Sequence, residues 1–456
     1  MGYADVSFWL ETCGDDLSPR PALTRDHQVD TVVVGAGFTG LWTAHFLSQL
    51  DPGRRVAVVE RDIAGFGASG RNGGWASAFF PIGPSVIARR FGKDAPRRVT
   101  DLLARSVGDL GDELSELSID AHFHRGGELS LATSPAQLAG LSDEIEEAER
   151  YGLKDRYRLL DRDTAQARFS SPLVLGALFD PDCAVLNPAR LVRGLARRLT
   201  ERGVELFERT AVTGIENGAV TANGHRLTAG QVVLATEAYT SQLPGLHRTV
   251  LPVYSLIALT ERLGDERWSQ VGWRDREAVT DGRHILIYLQ RTADGRVLFG
   301  GRGAPYHLGS KISADFDRHE PTFGHLHREF ERLFPYWKGV RFTHHWGGPV
   351  AISRDWVPSI GVKETLAWSR GYAGDGVTFS FLAGRTLADL LVGSVGERTE
   401  MPWVNHQSRL WPIEPLRLIG SRIVYWSFRR QDVREEKTGR RRASLTLGGV
   451  LSGRNR

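Results

Sequence analysis

The chain has 456 residues, 41% of them hydrophobic, which suits more than one folded unit, since single cores rarely grow past roughly 250–300 residues. Lys plus Arg number 58 against 54 Asp plus Glu, so the excess charge is only +4 and speaks for a mixed solvated surface and against nucleic acid as a partner. Two distant cysteines, Cys13 and Cys183, exclude a disulfide framework and speak against a zinc site; the absence of a long apolar run or of a secretory leader in residues 1–10 leads to the expectation of a soluble, cytoplasmic protein without membrane contact.

In chain order, residues 1–29 carry Phe8, Trp9 and Leu10 and then Pro19 and Pro21, predicting an arm that packs on the body. Residues 30–34 form a short apolar run ending in glycine, as a buried parallel strand does, and 38–50 follow with helical spacing until Asp51-Pro52-Gly53 stops the helix. Residues 56–60 are a second buried strand, completing a βαβ unit. A glycine-rich loop spans 65–74, and helices are predicted over 85–117, 134–151 and 189–202, the last opened by Asn187-Pro188. Asn217-Gly218 and Asn223-Gly224 are hairpin dipeptides within a small meander that ends at 231–235. Apolar, β-branched or aromatic runs at 251–260, 285–290, 298–302 and 346–351 predict a larger antiparallel sheet; 366–369 is strand-like, 371–376 is glycine-rich, and 377–391 is helical.

Two units are therefore expected to interleave. One is assembled from 30–85, 187–240 and 355–395, the other from 86–186 and 241–354. The segment 396–456 is expected to form a helix, packed on the first unit, and then a basic tail. Arg429, Arg430, Arg440, Arg441 and Arg442 gather there, interrupted by Asp432, Glu435 and Glu436, and predict an exposed helix with a disordered end.

Gly35-Ala36-Gly37-Phe38-Thr39-Gly40 reads GxGxxG between a strand and a helix. Gly35 permits the tight turn, Gly37 the close approach of backbone to a diphosphate, and Gly40 the packing of helix on strand, while the helix N-terminus presents free N–H groups to the phosphates. Glu60, followed by Arg61, ends the next strand, where an acid accepts both ribose hydroxyls and disfavours a 2′-phosphate. The motif alone does not separate NAD from FAD.

Four blocks do. GAGFTG with VVERD, then GASGRNGGW, then VVLATEAY, then GYAGDGVTFSFLAGRTLADLL together resemble the D-amino-acid-oxidase (DAO) family of flavoenzymes, over about residues 5–430. Within it, Ser69-Gly70-Arg71-Asn72-Gly73-Gly74, the Phe8-Trp9-Leu10 arm and the segment from Gly300 to Tyr306 resemble the γ-glutamylputrescine oxidase branch. The resemblance implies an α/β fold in which a Rossmann-type, DAO-like FAD-binding domain is interleaved with an antiparallel-sheet substrate domain. It implies that the 65–74 loop runs beneath the flavin, with Ser69, Arg71 and Asn72 donating to phosphate or to the ring edge, that Val212 meets the adenine, and that Ala235-Thr236-Glu237 closes over the diphosphate. Gly374-Asp375-Gly376-Val377-Thr378 would bring a helix N-terminus to the N1–C2=O side of the flavin, where negative charge develops; the plainer reading is an N-cap by Asp375.

Departures from the family shape the functional expectation. The segment Trp346-Gly347-Gly348 lacks the cysteine that monomeric sarcosine oxidases use to attach flavin, so FAD is expected to be non-covalent. Thr378 stands where those oxidases have a lysine, and Val350 near the position of the carboxylate-binding arginine of glycine oxidases. Without that clamp an amine is favoured over an α-amino acid, unless Arg302 or Arg291 takes over. Tyr254, Tyr288, Arg302, His345 and Trp346 are the candidate pocket residues, the tyrosines forming an aromatic box for an amine; His344 and His345 face opposite sides of a strand, so no metal site is expected from them. The expected reaction is oxidation of a C–N bond to an imine, its hydrolysis, and reoxidation of the flavin by O2 to give H2O2. A dehydrogenase passing electrons from an amino or hydroxy acid to a carrier, an NAD-dependent dehydrogenase, and a flavin-containing nucleic-acid-binding protein stand as alternatives.

Overall fold

The computed structural model describes residues 2–302 and 305–441, the Arg302 side chain excepted. Arg442 of the basic tail, the predicted disordered end and Gly303-Ala304 lie outside the described residues.

The first sheet runs Ser359–Lys363, Leu366–Arg370, His225–Leu234, His27–Val34, Val56–Val59, Glu205–Phe207. From Leu366–Arg370 to Glu205–Phe207 its strands are parallel, with Val33 opposite Val58 and Val34 opposite both Val59 and Leu234. Val56–Val59 is buried at every position, as covering on both faces demands. The helices Phe38–Leu50 and Gly376–Val392 pack tightly together; a Cβ on Gly384 would lie 2.5 Å from the Trp42 Cβ. Strands Val212–Glu216 and Ala219–Ala222 form the hairpin that enters His225–Leu234, and its turns hold Gly218, Asn223 and Gly224 at positive φ, as the two Asn-Gly pairs required.

The second sheet runs Phe342–Ile352, Leu251–Thr260, Val297–Arg302, Ile287–Arg291, Ala278–Asp281, Glu128–Ala132, Gly176–Asp180, Arg158–Leu160. All its neighbours are antiparallel except Ala278–Asp281 with Glu128–Ala132. The helix Glu320–Leu333 covers one face, placing Phe323, Leu326 and Phe330 against Leu256, Ala258 and Phe299. A two-stranded ribbon, Trp75–Ser77 with Cys183–Val185, lies apart from both sheets in pairing.

Two expectations need correction. The helix over 85–117 is two helices, Pro84–Phe91 and Ala95–Glu116, because Gly92 at φ +102 ends the first. The C-terminal helix, Leu416–Thr438, is tied to the second sheet's side of the molecule: Asp432 accepts from the backbone N–H groups of His284 and Ile285, Glu436 pairs with Arg332, and Phe428 stacks on His284. Its two most buried side chains are polar, Arg417 and Glu435, so an apolar face could not direct it onto the first unit.

Candidate active site

One cavity of about 1620 Å³ is lined from both sheets and from the C-terminal helix. At one end lie Val34, Gly35, Gly37, Phe38 and Thr39. Here side chains are excluded by distance: a Cβ would come 2.7 Å from Ala235 O at Gly35, 2.9 Å from Ser69 Oγ at Gly37 and 1.9 Å from Gly35 O at Gly40. The turn is therefore bare backbone at the start of a helix, a setting that suits a diphosphate. Phe38 N donates to Ser69 Oγ at 2.8 Å. Glu60 also lines the cavity, its carboxylate receiving Ala36 N at 2.9 Å and Asp62 N at 3.0 Å. A carboxylate offers about four acceptor positions, so acceptor capacity remains for a diol. Burial pushes this carboxyl up, a cost that a hydrogen-bonded diol offsets. Arg61 pairs with Asp62 and stacks over Tyr239. Thr210, Ala211 and Val212 border the same end, as do Ala235 and Thr236.

The 65–74 loop lies along the cavity, but two of its polar side chains serve the loop. Arg71, expected to donate to phosphate or ring edge, gives Nε to Phe66 O at 2.7 Å and Nη1 to Asp317 at 2.5 Å and Gly347 O at 3.3 Å. A buried guanidinium requires an anion, and Asp317 supplies it. Asn72 spans the turn, donating to Ala68 O and accepting from Gly74 N. Gly70 and Gly74 meet Gly65 O and Leu186 O at 2.3 and 2.2 Å from a built Cβ, and Gly73 meets the Tyr288 ring at 2.7 Å.

Gly374, Asp375, Gly376 and Val377 line the cavity where the Gly376–Val392 helix begins. Asp375 occupies the N-cap position without capping; its carboxylate accepts from Ser77 Oγ at 3.2 Å. The first turn's N–H groups thus have no side-chain cap. Among the described residues, Thr378 Oγ1 and the cavity-lining Trp75 Nε1 are buried without a hydrogen-bond partner. Bare turn, spare acceptors on Glu60, uncapped helix and the orphaned Trp75 Nε1 fit a dinucleotide with a polar ring system. Glu237 braces the region, accepting from Tyr372 N at 3.1 Å and Gly371 N at 3.3 Å, with burial pushing it up to about 7.

Of the five pocket candidates, Tyr254 and Tyr288 line the cavity. Tyr288 bonds Ser255 Oγ at 2.8 Å, and glycine at 73 and 300 leaves room for its ring. Tyr254 is bonded to Ser313 through its hydroxyl, and burial pushes its phenol up. His345 and Trp346 do not line the cavity. His345 turns toward the Glu320–Leu333 helix, bonding His327 at 2.9 Å and meeting Phe323; burial and the neighbouring His327 hold it below the usual imidazole range. Trp346 turns the other way, donating to Arg71 O at 2.8 Å and packing with Trp9 of the arm. Strand alternation separates them, and packing occupies both faces there. Arg302 pairs with Ser255 through its strand, and its side chain is outside the described ones. Arg291 is absent from the lining; it donates to Trp273 O and stacks on Trp268.

Sequence reading missed an acidic group. Glu128 and Asp180 face each other directly across two antiparallel strands, and both line the cavity with Asp375, Glu144 and Tyr157. Like charges so placed repel. Burial first, then Asp180 and Asp375, push Glu128 up to about 8. The signal was the alternation of Glu128-Leu129-Ser130-Leu131: Leu129 and Leu131 are core, while Glu128 and Ser130 face the cavity. Beyond this group the C-terminal helix forms a wall with Gly420, Ser421, Val424 and Phe428.

A family model described as FAD dependent oxidoreductase (DAO) matches residues 30–390. The chain is 32% identical to gamma-glutamylputrescine oxidoreductase of Escherichia coli (strain K12) over 395 residues, which is 85% of this chain and 89% of that one. Among solved structures, L-proline dehydrogenase from P. horikoshii superposes with a TM-score of 0.66 at 22% identity, covering 83% of this chain and 96% of that one. Glycine oxidase from Geobacillus kaustophilus gives 0.68 at 20% identity, covering 84% and 100%. These two likenesses speak to the fold.

Proposed function

The chain belongs to the DAO family of FAD-dependent oxidoreductases, and we propose that its substrate is a cationic amine with no carboxylate on the reacting carbon. The observation that carries this reading is the acidic group of Glu128, Asp180 and Asp375 in the cavity. Its charge attracts an ammonium ion and repels a carboxylate. The arginines nearest it are already engaged by carboxylates: Arg156 lies between Asp182 and Asp180, Arg71 is held by Asp317 and Arg283 by Asp281 and Glu329, while Arg291 lies outside the lining. The name of the bacterial relative supplies the leading member of this class, γ-glutamylputrescine.

We assign the cofactor's binding to non-covalent contacts. The Gly35–Gly40 turn would hold the diphosphate, Glu60 the ribose, Val212 the adenine edge, and the uncapped start of the Gly376–Val392 helix the flavin ring. Cys13 and Cys183 are both buried, and neither lines the cavity. Bound FAD supplies the two-electron acceptor for the hydride of the substrate C–H bond. The residues of this chain then bind and deprotonate the amine. Asp180 and Asp375 hold the incoming ammonium. A carboxylate oxygen of Glu128 accepts its proton, since only the neutral amine can lose hydride. Tyr254 and Tyr288 flank the chain of the substrate. Product imine is hydrolysed after release, and O2 is the proposed electron acceptor, giving H2O2.

The test is anaerobic mixing with γ-glutamylputrescine, putrescine, sarcosine, glycine, D-alanine and a 2-hydroxy acid while the flavin band near about 450 nm is followed. Bleaching by an amine lacking an α-carboxylate supports the reading. Bleaching by α-amino acids alone overturns it. Stoichiometric H2O2 on admission of air supports O2 as acceptor; turnover only with an added quinone or dye overturns that part.

A further inference from the structure

The Leu416–Thr438 helix carries an exposed apolar stripe, while its cavity side mixes Gly420, Ser421, Val424 and Phe428 with the inward-turned Arg417. Leu416, Ile419, Ile423, Trp426 and Val433 recur every three or four residues along one stripe, except where Arg430 intervenes, and they are 60%, 49%, 37%, 55% and 46% exposed. Ile413, just before the helix, extends the stripe and is 60% exposed. A continuous exposed apolar strip of this kind marks an interaction surface.

Charge identifies the occupant. The helix carries six basic residues against three acidic ones, and all three acids are engaged with the helix itself or with the body. Asp432 accepts from His284 N and Ile285 N, Glu435 accepts from Gln431 Nε2 at 2.9 Å and lies 3.7 Å from His284 Nε2, and Glu436 pairs with Arg332. Of the bases, Arg417 is turned inward to Glu414 and His247 O. Arg430, Arg434 and Lys437 lie along the apolar stripe, Arg422 and Arg429 lie beside it at the edge of the cavity, and among the described residues none of the five forms an ion pair. Arg430 stacks over Trp426 at 5.1 Å. A second copy laid on this face would bring cations against cations. A surface of phosphates over hydrocarbon complements both features at once.

We propose that the outer face of the Leu416–Thr438 helix docks on an anionic lipid bilayer, with Ile413, Leu416, Ile419, Ile423 and Trp426 at the headgroup–acyl boundary and the flanking arginines on lipid phosphates. Among the described residues no helix is long and apolar enough to cross a membrane; a helix lying in the interface needs only one apolar face, which an apolar-run criterion does not detect. Because the opposite face of this helix is a cavity wall, docking would set the cavity mouth at the lipid surface.

The experiment is co-sedimentation of the yellow holoprotein with vesicles of phosphatidylglycerol and phosphatidylcholine, and with phosphatidylcholine alone. Binding to the anionic vesicles, weakened by salt, is expected. Ile423→Glu with Trp426→Glu abolishes it, and Arg430→Glu with Arg434→Glu weakens it by roughly 10- to 100-fold, both with flavin absorbance retained. Failure of the parent to sediment with anionic vesicles overturns the proposal, as does binding that survives the Ile423/Trp426 pair. So does a concentration-dependent dimer that this pair converts to monomer, which would assign the face to a second copy.

Discussion

Glu128 illustrates what one buried carboxyl contributes. Folded, it holds its proton up to about 8; unfolded, it releases it near about 4.3. Between those values the folded chain binds more protons, so stability falls as pH rises. Glu128→Gln removes this slope, and the apoprotein variant is expected to melt above the parent at roughly pH 8 but close to it at roughly pH 4, where both forms are neutral. Thermal melts at the two pH values check this. In turnover the sign reverses, because the proton acceptor must be ionised. The parent's kcat/KM rises with pH toward about 8, and Glu128→Gln lowers it roughly 10- to 100-fold for a cationic amine, the loss of one charge-assisted hydrogen bond. An unchanged pH profile in the variant would remove Glu128 from the proposed chemistry. Cofactor retention tests Glu60 separately: Glu60→Ala is expected to emerge from gel filtration with a smaller flavin-to-protein ratio than the parent, since its diol acceptors are lost.

At the scale of elements, the arm and the turn are the sensitive parts. Phe8, Trp9 and Leu10 are buried against Ile257, Leu259, Leu298 and Trp346, and Trp9 Nε1 donates to Asn72 O at 2.9 Å. The N-terminal arm thereby joins the second sheet to the 65–74 loop. Trp9→Ala is expected to cost about 3–5 kcal/mol and to open that loop to limited proteolysis. Gly40→Ala places a methyl 1.9 Å from Gly35 O, so the helix must shift; a loss of about 1–3 kcal/mol and a colourless purified protein are expected. Elements with a strong local signal were legible. The helix over 38–50, the strand over 251–260 and the Asn-Gly hairpin appear as Phe38–Leu50, Leu251–Thr260 and the Val212–Ala222 pair of strands. The short strands Glu128–Ala132, Arg158–Leu160 and Gly176–Asp180 and the helix Glu320–Leu333 were not read, because a few alternating residues carry too little local preference to stand apart from loop.

At the scale of the whole molecule, the cavity is closed by an element far along the chain. Asp432 joins the C-terminal helix to residues 284 and 285, beside cavity-lining Arg283. Asp432→Ala is expected to free this wall, raising KM about 10-fold with kcat changed less than about 3-fold; equal loss in kcat would place the helix in the chemistry instead. The βαβ order, GxGxxG and Glu60 marked the proposed nucleotide end from the sequence alone, because strand, turn and helix are neighbours in the chain and their geometry is set by the local backbone. The acidic end of the cavity was decided only by tertiary structure. Glu128, Asp180 and Asp375 are brought together by strand pairing and by the meeting of separate segments, as are Gly73 and Tyr288, and no local preference encodes such distances. The same holds for His345 and Trp346. Their strand was legible, but which neighbours covered each of its faces depended on the arm and on the Glu320–Leu333 helix, both remote in sequence.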